Sequence, residues 1–370
     1  RRMATLAGIY VPSLYQVDYQ VNGLMKSITP TEAQASPTIR RRIVTELPSL
    51  ITKPVVPYTE AVHDRGAIEI QRGCSRGCRF CHAGTIYRPV RQRSQAEVLQ
   101  AADEFMVNCG YNEISLVSLS TSDYTGIDEL VASLAQRYPH LTISLPSLHI
   151  KSFSAKLMDS LPIHSRAGLT FAPEAGSERL RRVINKDTTE DELLETAAAA
   201  FDRGWTNIKL YFMLGLPTET IDDIEAIIHL ADKVSYAGRK VERKRHQVRV
   251  SLGTFVPKPH TPFQWVAQES EQQLNSKQAL LKLGLRRKGI RLSWQDSKVS
   301  LLEAALSRGD RRLGKVIYRA WQLGSTFDAW SECFNYGNWL RAFEEVGLSP
   351  EFYAQRERHL DELLSWDHID

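Results

Sequence analysis

Of the five cysteines in this 370-residue chain, Cys74, Cys78 and Cys81 fall within eight residues, while Cys109 and Cys333 stand alone. The segment reads Gln71-Arg72-Gly73-Cys74-Ser75-Arg76-Gly77-Cys78-Arg79-Phe80-Cys81-His82-Ala83-Gly84. Its C-x3-C-x2-C spacing puts three thiolates on one loop. An odd, clustered set of cysteines with no export signal argues for a metal site in a reducing compartment, not for a disulfide framework. A structural zinc site wants four protein ligands, usually as two separated pairs, and only His82 or a distant residue could complete one here. Three thiolates suit a 4Fe-4S cluster with one iron left open for chemistry. Gly73, Gly77 and Gly84 allow the backbone to wrap closely around such a bulky group.

Spacing, the aromatic Phe80 before the last cysteine and the flanking glycines together resemble the signature of the radical S-adenosylmethionine (radical SAM) superfamily. Two further stretches sharpen the likeness. Phe171-Ala172-Pro173-Glu174-Ala175-Gly176-Ser177, followed by Asn185-Lys186-Asp187, is similar to the E-x-G-S segment of elongator-like and methylthiotransferase-like members, and Gly215-Leu216-Pro217-Thr218-Glu219-Thr220 to their G-L-P-x-E-T turn. The resemblance implies that Cys74, Cys78 and Cys81 ligate a 4Fe-4S cluster. It also implies that Phe80, His82, Ser120, Ser122, Glu174, Ser177, Gly215 and Pro217 contact the cofactors, Glu174 foremost. Ser120 and Ser122 stand where many members have a glycine-rich segment for the SAM amino group. The implied chemistry is reductive cleavage of SAM to a 5′-deoxyadenosyl radical, or methyl transfer from SAM, with an electron donor such as flavodoxin or ferredoxin. Catalytic residues beyond the cofactor contacts are not assigned by these motifs.

Elements must position those residues, and the pattern supplies them. From Ala67 to about Lys288, β-branched apolar runs alternate with helical periodicity, the mark of parallel βα units. The predicted strands are 67–71, 113–119, 141–145, 167–171, 207–214 and 247–255, with helices near 95–108, 127–136, 154–161, 189–203, 221–237 and 271–287. Six units are two short of a closed eight-stranded barrel, so the expected fold is α/β, an open partial (βα)6 TIM-like barrel. In such barrels the active site is built from loops at the C-terminal ends of the strands. The cysteine loop follows the first strand, Ser120 to Asp123 the second, Pro146, Ser147 and His149 the third. Glu174, Gly176 and Ser177 follow the fourth, Gly215 to Glu219 the fifth, and Lys258 and His260 the sixth.

Composition excludes more than it selects. With 42% hydrophobic and 24% charged residues the chain is an ordinary globular one, and no run approaches the ~18 apolar residues of a spanning helix. Leu6 to Tyr15 is too short and interrupted for a signal-peptide core, so a cytoplasmic location and no membrane partner are expected. A net charge of +4 neither demands nor excludes nucleic acid. The basic runs Arg40-Arg41-Arg42 and Arg239 to Arg249 read as solvated surface. There is no G-x-x-x-x-G-K phosphate loop, G-x-G-x-x-G fingerprint or H-E-x-x-H helix.

The expected division is a linker over 1–66 packing on the barrel, the core over 67–290, and a helical extension over 291–370. The extension's aromatics, Trp321, Phe327, Trp330, Phe334, Tyr336, Trp339 and Phe343, read mostly as core; a wall of the substrate cavity, with Arg311 or Arg312 binding an anion, is the alternative. Cys109 and Cys333 read as buried structural thiols. The order Arg2 to Tyr15, cysteine loop, Arg308-Gly309-Asp310-Arg311-Arg312 and Trp366 to Asp370 is similar to an uncharacterised cobalamin-binding-type radical SAM family. That likeness implies an N-terminal cobalamin-binding domain outside this chain. Cobalamin rests on kinship alone, because no D-x-H-x-x-G motif occurs. The leading expectation is therefore a radical SAM enzyme, with transfer of a methyl or related group to an unknown substrate favoured. The alternatives are an RNA-modifying methylthiotransferase-like enzyme, which would want a second three-cysteine set, and a non-catalytic iron-sulfur protein.

Overall fold

The computed structural model describes residues 2–59, 62, 64–166, 168–240 and 246–370. Arg243, Lys244 and Arg245 of the second basic run, and Ala167 at the expected start of the fourth strand, lie outside the described residues. The chain forms two compact units, one of residues 46–255 and 272–295, the other of 1–45, 256–271 and 296–370.

The first unit is the βα body. Its parallel strands are β1 (Gly66–Glu69), β2 (Glu113–Val117), β3 (Thr142–Ser144), β4 (Leu169–Glu174), β5 (Asn207–Leu214), β6 (Gln247–Thr254) and β7 (Arg291–Trp294). They form two sheets, β1-β2-β3 and β7-β6-β5-β4, the strands of an open partial barrel. Register follows the apolar pattern: Ile68 lies opposite Leu116, Ile114 opposite Ile143, and Phe171 opposite Leu210. These side chains are buried in one continuous core, each contributing about 1.5–3 kcal/mol by leaving water.

Between the strands run α1 (His82–Ile86), α2 (Gln95–Cys109), α3 (Ile127–Arg137), α4 (Ala155–Ser160), α5 (Glu178–Val183), α6 (Glu190–Asp202), α7 (Ile221–Arg239) and α8 (Glu271–Arg287). Local chemistry fixes where they start. Ser94 with Glu97, and Thr189 with Glu192, close reciprocal capping boxes on α2 and α6, and the Ser154 and Ser177 hydroxyls cap α4 and α5.

Six of the strands match the sequence pattern; the seventh does not. Residues 291–294 were expected in the helical extension, yet they add to the sheet through parallel pairing with β6. Arg-Leu-Ser-Trp has no β-branched run, so this edge strand is set by its neighbour and not by propensity.

The second unit contains α9 (Ser297–Ser307), α10 (Leu313–Gln322), α11 (Tyr336–Val346) and α12 (Pro350–Ala354), together with an antiparallel hairpin, Tyr15–Tyr19 with Met25–Pro30, in what read as linker. The Arg308 to Arg312 run holds it together. Buried Arg308 donates to the carbonyls of Val266 (2.8 Å) and Ala354 (3.1 Å). Arg311 donates to the Tyr15 carbonyl at 2.8 Å, and Arg312 stacks over Tyr19 while pairing with Asp310. Arg311 and Arg312 thus serve this packing. The aromatics divide: Trp339 and Phe343 are core, whereas Trp321, Phe327 and Trp330 are exposed, contrary to expectation. Cys333 is exposed too, and Cys109, closing α2, is half-buried.

Candidate functional site

The cysteine loop leaves β1 through the short strand Gln71–Arg72 and enters α1 with Cys81 as its N-cap. Gly73 makes the first turn at φ +89°, where a Cβ would come within 2.6 Å of the Tyr87 carbonyl oxygen and 2.8 Å of that of Pro89, so only glycine fits. The backbone N–H of Gly84 donates to the Cys81 sulfur at 3.2 Å. Hydrogen bonds to ligating sulfurs are one means by which proteins tune iron-sulfur clusters. All three thiols are half-buried and none is in a disulfide. No three His, Cys, Asp or Glu groups among the described residues converge as a single ion would require. Three free thiols on one loop are a donor set of the kind that 4Fe-4S clusters take.

What fixes the loop is a set of residues to which the motifs assign no role. Arg76, between the first two cysteines, makes a two-pronged pair with Asp123 after β2, its Nε 2.7 Å from the carboxylate, and reaches Asp187 at 3.4 Å. Burial pushes the Asp123 carboxyl up, but Arg76 and hydroxyl donors outweigh it and hold the group down at about 2. From the far side, Asn185 donates to the Gly77 carbonyl at 2.9 Å. The Arg79 N–H donates to the Ile184 carbonyl at 3.0 Å, and its guanidinium to those of Arg182 and Val183 at the end of α5. Asn185-Lys186-Asp187 follows the E-x-G-S segment in sequence, and that adjacency was the available signal.

Glu174 ends β4 in the left-handed region, φ +68°, and is almost fully buried. Its partner is Lys186, 3.6 Å away and also largely buried. Burial pushes the Glu174 carboxyl up to about 6 against the pull of Lys186, so at neutral pH it is an ionised acceptor with a cation beside it. Both groups act electrostatically on Cys78, whose thiol burial pushes up to about 11 while Lys186 pulls it back. The structure thus brings Glu174, Lys186 and the cysteine loop into one neighbourhood. Ser147 and Thr218, after β3 and β5, share the left-handed backbone of Glu174. Such strain on non-glycine residues collects at functional sites.

The remaining expected contacts divide by what already holds them. Ser120 donates to Asp123 at 2.6 Å, and Ser122 bonds Ser152 at 2.9 Å while accepting the His149 N–H at 2.8 Å. The buried His149 ring lies 3.3 Å from Asp187, and burial, with Arg76 and Lys186, lowers its pKa to about 4, which leaves a neutral imidazole at pH 7. The Ser177 hydroxyl is committed to the Leu180 N–H and to buried Asp223. Gly215 and Pro217 lie in the turn after β5, where the Gly215 N–H donates to Glu219 at 3.0 Å and Glu219 pairs with Lys277 at 2.6 Å. Phe80 and His82 flank Cys81, half-buried. Lys258 and His260 belong to the other unit, where Lys258 pairs with Glu303 at 2.6 Å.

Residues 68–231 match the family model described as the radical SAM superfamily. The chain is 34% identical over 307 residues to an uncharacterised protein, MJ0966, of Methanocaldococcus jannaschii, covering 81% of this chain and 66% of that protein. It is 26% identical over 203 residues to the ribosomal protein uS12 methylthiotransferase RimO of Pseudothermotoga lettingae, covering 51% of this chain and 47% of that protein. The radical S-adenosylmethionine methyltransferase TsrM of Kitasatospora setae superposes with a TM-score of 0.42 at 14% identity, covering 55% of this chain and 38% of that one. The chain thus spans about two thirds of the archaeal protein and about half of the methylthiotransferase. No helix among the described residues is long and apolar enough to cross a membrane.

Proposed function

Because this chain carries a radical SAM domain over residues 68–231, we propose that it is an enzyme that cleaves SAM reductively at a cluster held by Cys74, Cys78 and Cys81, in the service of methyl or related group transfer with cobalamin's help. Radical SAM proteins bind a 4Fe-4S cluster and SAM. A 4Fe-4S cluster held there by Cys74, Cys78 and Cys81 would supply the electron that splits the carbon-sulfur bond of SAM. The chain itself supplies orientation and exclusion of water.

One observation carries the reading: the buried Glu174–Lys186 pair shares an electrostatic neighbourhood with the cysteine loop. A carboxylate costs free energy to bury without a partner, and Lys186 keeps this one ionised where a ligand's hydroxyl or ammonium donors can use it. Arg76 and Asn185 hold the loop against two strand-end segments, the fixed geometry that turns an encounter into a unimolecular step. The Ser120 hydroxyl donates its hydrogen bond to Asp123, which leaves its oxygen to accept from an ammonium group.

The transfer reading rests on the likeness of the flanks to cobalamin-binding-type members. Its test is incubation of the anaerobically reconstituted protein with SAM and reductant, with and without added cobalamin, followed by assay of S-adenosylhomocysteine. Cobalamin-dependent S-adenosylhomocysteine is the expected outcome. Formation of 5′-deoxyadenosine alone, indifferent to cobalamin, would remove the transfer reading and leave radical cleavage standing.

A further inference from the structure

Two guanidiniums of the second unit are buried without a counter-charge. Arg308 is 1% exposed and Arg358 7%, and among the described residues neither lies within ion-pair reach of a carboxylate. Their donors go to the backbone instead. Arg308 serves the carbonyls of Val266, Ala354 and Arg356, and Arg358 those of Arg308 (2.8 Å) and Tyr353 (3.5 Å). A carbonyl satisfies an N–H group but does not neutralise a charge, and a buried cation is costly unless it is paired. Nor does a guanidinium escape by giving up its proton. Burial, reinforced by Arg358 and Arg356, lowers Arg308 to about 9, and burial lowers Arg358 to about 10, so both stay charged at neutral pH.

The carboxylates close by are committed elsewhere. Asp310 pairs with Arg312 at 2.6 Å and accepts from Tyr19 and Tyr353, while Glu362 takes two prongs of Arg356, at 2.5 and 2.7 Å. Arg308, Arg312, Arg356 and Arg358 thus share two carboxylates, and two positive charges are left unmatched. All of these groups except Arg312 line one small cavity of about 20 Å3, whose walls belong wholly to the second unit. Since ~10–15 Å3 admits a single water, the cavity has room for one species of about that size. Water would fill it and leave the charge; an anion fills it and neutralises. The Nε–H groups of Arg308, Arg356 and Arg358 are buried with no acceptor among the described residues, and an anion is an acceptor.

We propose that this cavity is the binding site of a single small inorganic anion of chloride size, held against Arg308 and Arg358. Arg308 caps the end of α9, Arg358 follows α12, and Gly23 to Met25 of the N-terminal hairpin line the same cavity. The anion therefore joins three segments of the second unit that are far apart in sequence. No residue of the cysteine site takes part, so the test stands apart from the radical SAM reading.

Thermal melting of the full chain, with sodium chloride replacing sodium gluconate at constant ionic strength, reads the site in solution. The melting temperature rises by about 2–4 °C up to about 100 mM chloride and then levels off. In Arg358→Met the response to chloride is lost. The second measurement needs no variant and stands even if Arg358→Met does not fold: crystals grown with bromide in place of chloride show one anomalous peak in contact with the Arg308 and Arg358 guanidiniums. A melting temperature indifferent to chloride, a chloride response retained in Arg358→Met, or a cavity holding no bromide overturns the proposal. Bromide in the cavity without any chloride response in solution is an adventitious ion only and overturns it equally.

Discussion

Burial pushes the Cys78 thiol up, and Lys186, which pulls it back, is a residue that spacing alone could not name. The C-x3-C-x2-C pattern made three candidate ligands legible because thiolate count and loop length are properties of the sequence. Lys186 and Arg76 were illegible as site residues, since a lysine after a helix and an arginine in a loop are usually solvated surface. Their roles come from burial and from Asp123, Glu174 and Asp187, which the fold brings up from other loops. Ligand and contact residues should then fail differently. Cys78→Ala should reduce iron from about four per chain to near background after reconstitution, measured by iron and sulfide assay. Glu174→Gln should keep the iron and lower SAM cleavage about 10- to 100-fold, the worth of a charged hydrogen bond, measured as 5′-deoxyadenosine formed per cluster.

Element by element, six strands and the helices α2, α3, α4, α6, α7 and α8 were readable from apolar period, while β7 and the N-terminal hairpin were not. Both consist of short, polar-rich strands whose pairing is a matter of tertiary context. The close approach of α7 to the β4 loop was equally hidden, although Gly176 is its mark: a Cβ there would lie 2.3 Å from the Ile227 nitrogen and 2.7 Å from the Ala226 carbonyl carbon. Because backbone cannot yield as a side chain can, Gly176→Ala should cost about 2–3 kcal/mol, read by urea denaturation. Asp223 ties the same two segments, taking Ser177, Arg179 and the Thr220 N–H. Burial pushes its carboxyl up, but these donors outweigh it and hold the group below its ordinary value. The folded pKa is thus the lower one, and the stabilisation is full above the unfolded value near 3.8 and lost as pH falls below it. Asp223→Asn should cost about 2–4 kcal/mol at pH 7, and denaturation curves for the two proteins should approach each other as pH is taken below about 4.

At the scale of the molecule, the barrel class could be read from alternation alone, and the rule that strand C-terminal ends carry the chemistry points to the candidate site. The organisation into units could not be read this way. Residues 1–45 share a unit with 256–271 and 296–370, joined through Asp310, Arg311 and Arg312, a basic run whose buried partners leave no trace in composition. The match to the radical SAM model, over residues 68–231, lies in the first unit. The central claim is that the cysteine loop holds a cluster that cleaves SAM. Its most direct measurement is 5′-deoxyadenosine produced by the anaerobically reconstituted chain with SAM and a low-potential reductant, beside a Cys78→Ala control. The account predicts product that depends on all three cysteines. A protein that holds about four irons yet yields no more 5′-deoxyadenosine than the Cys78→Ala control would contradict it.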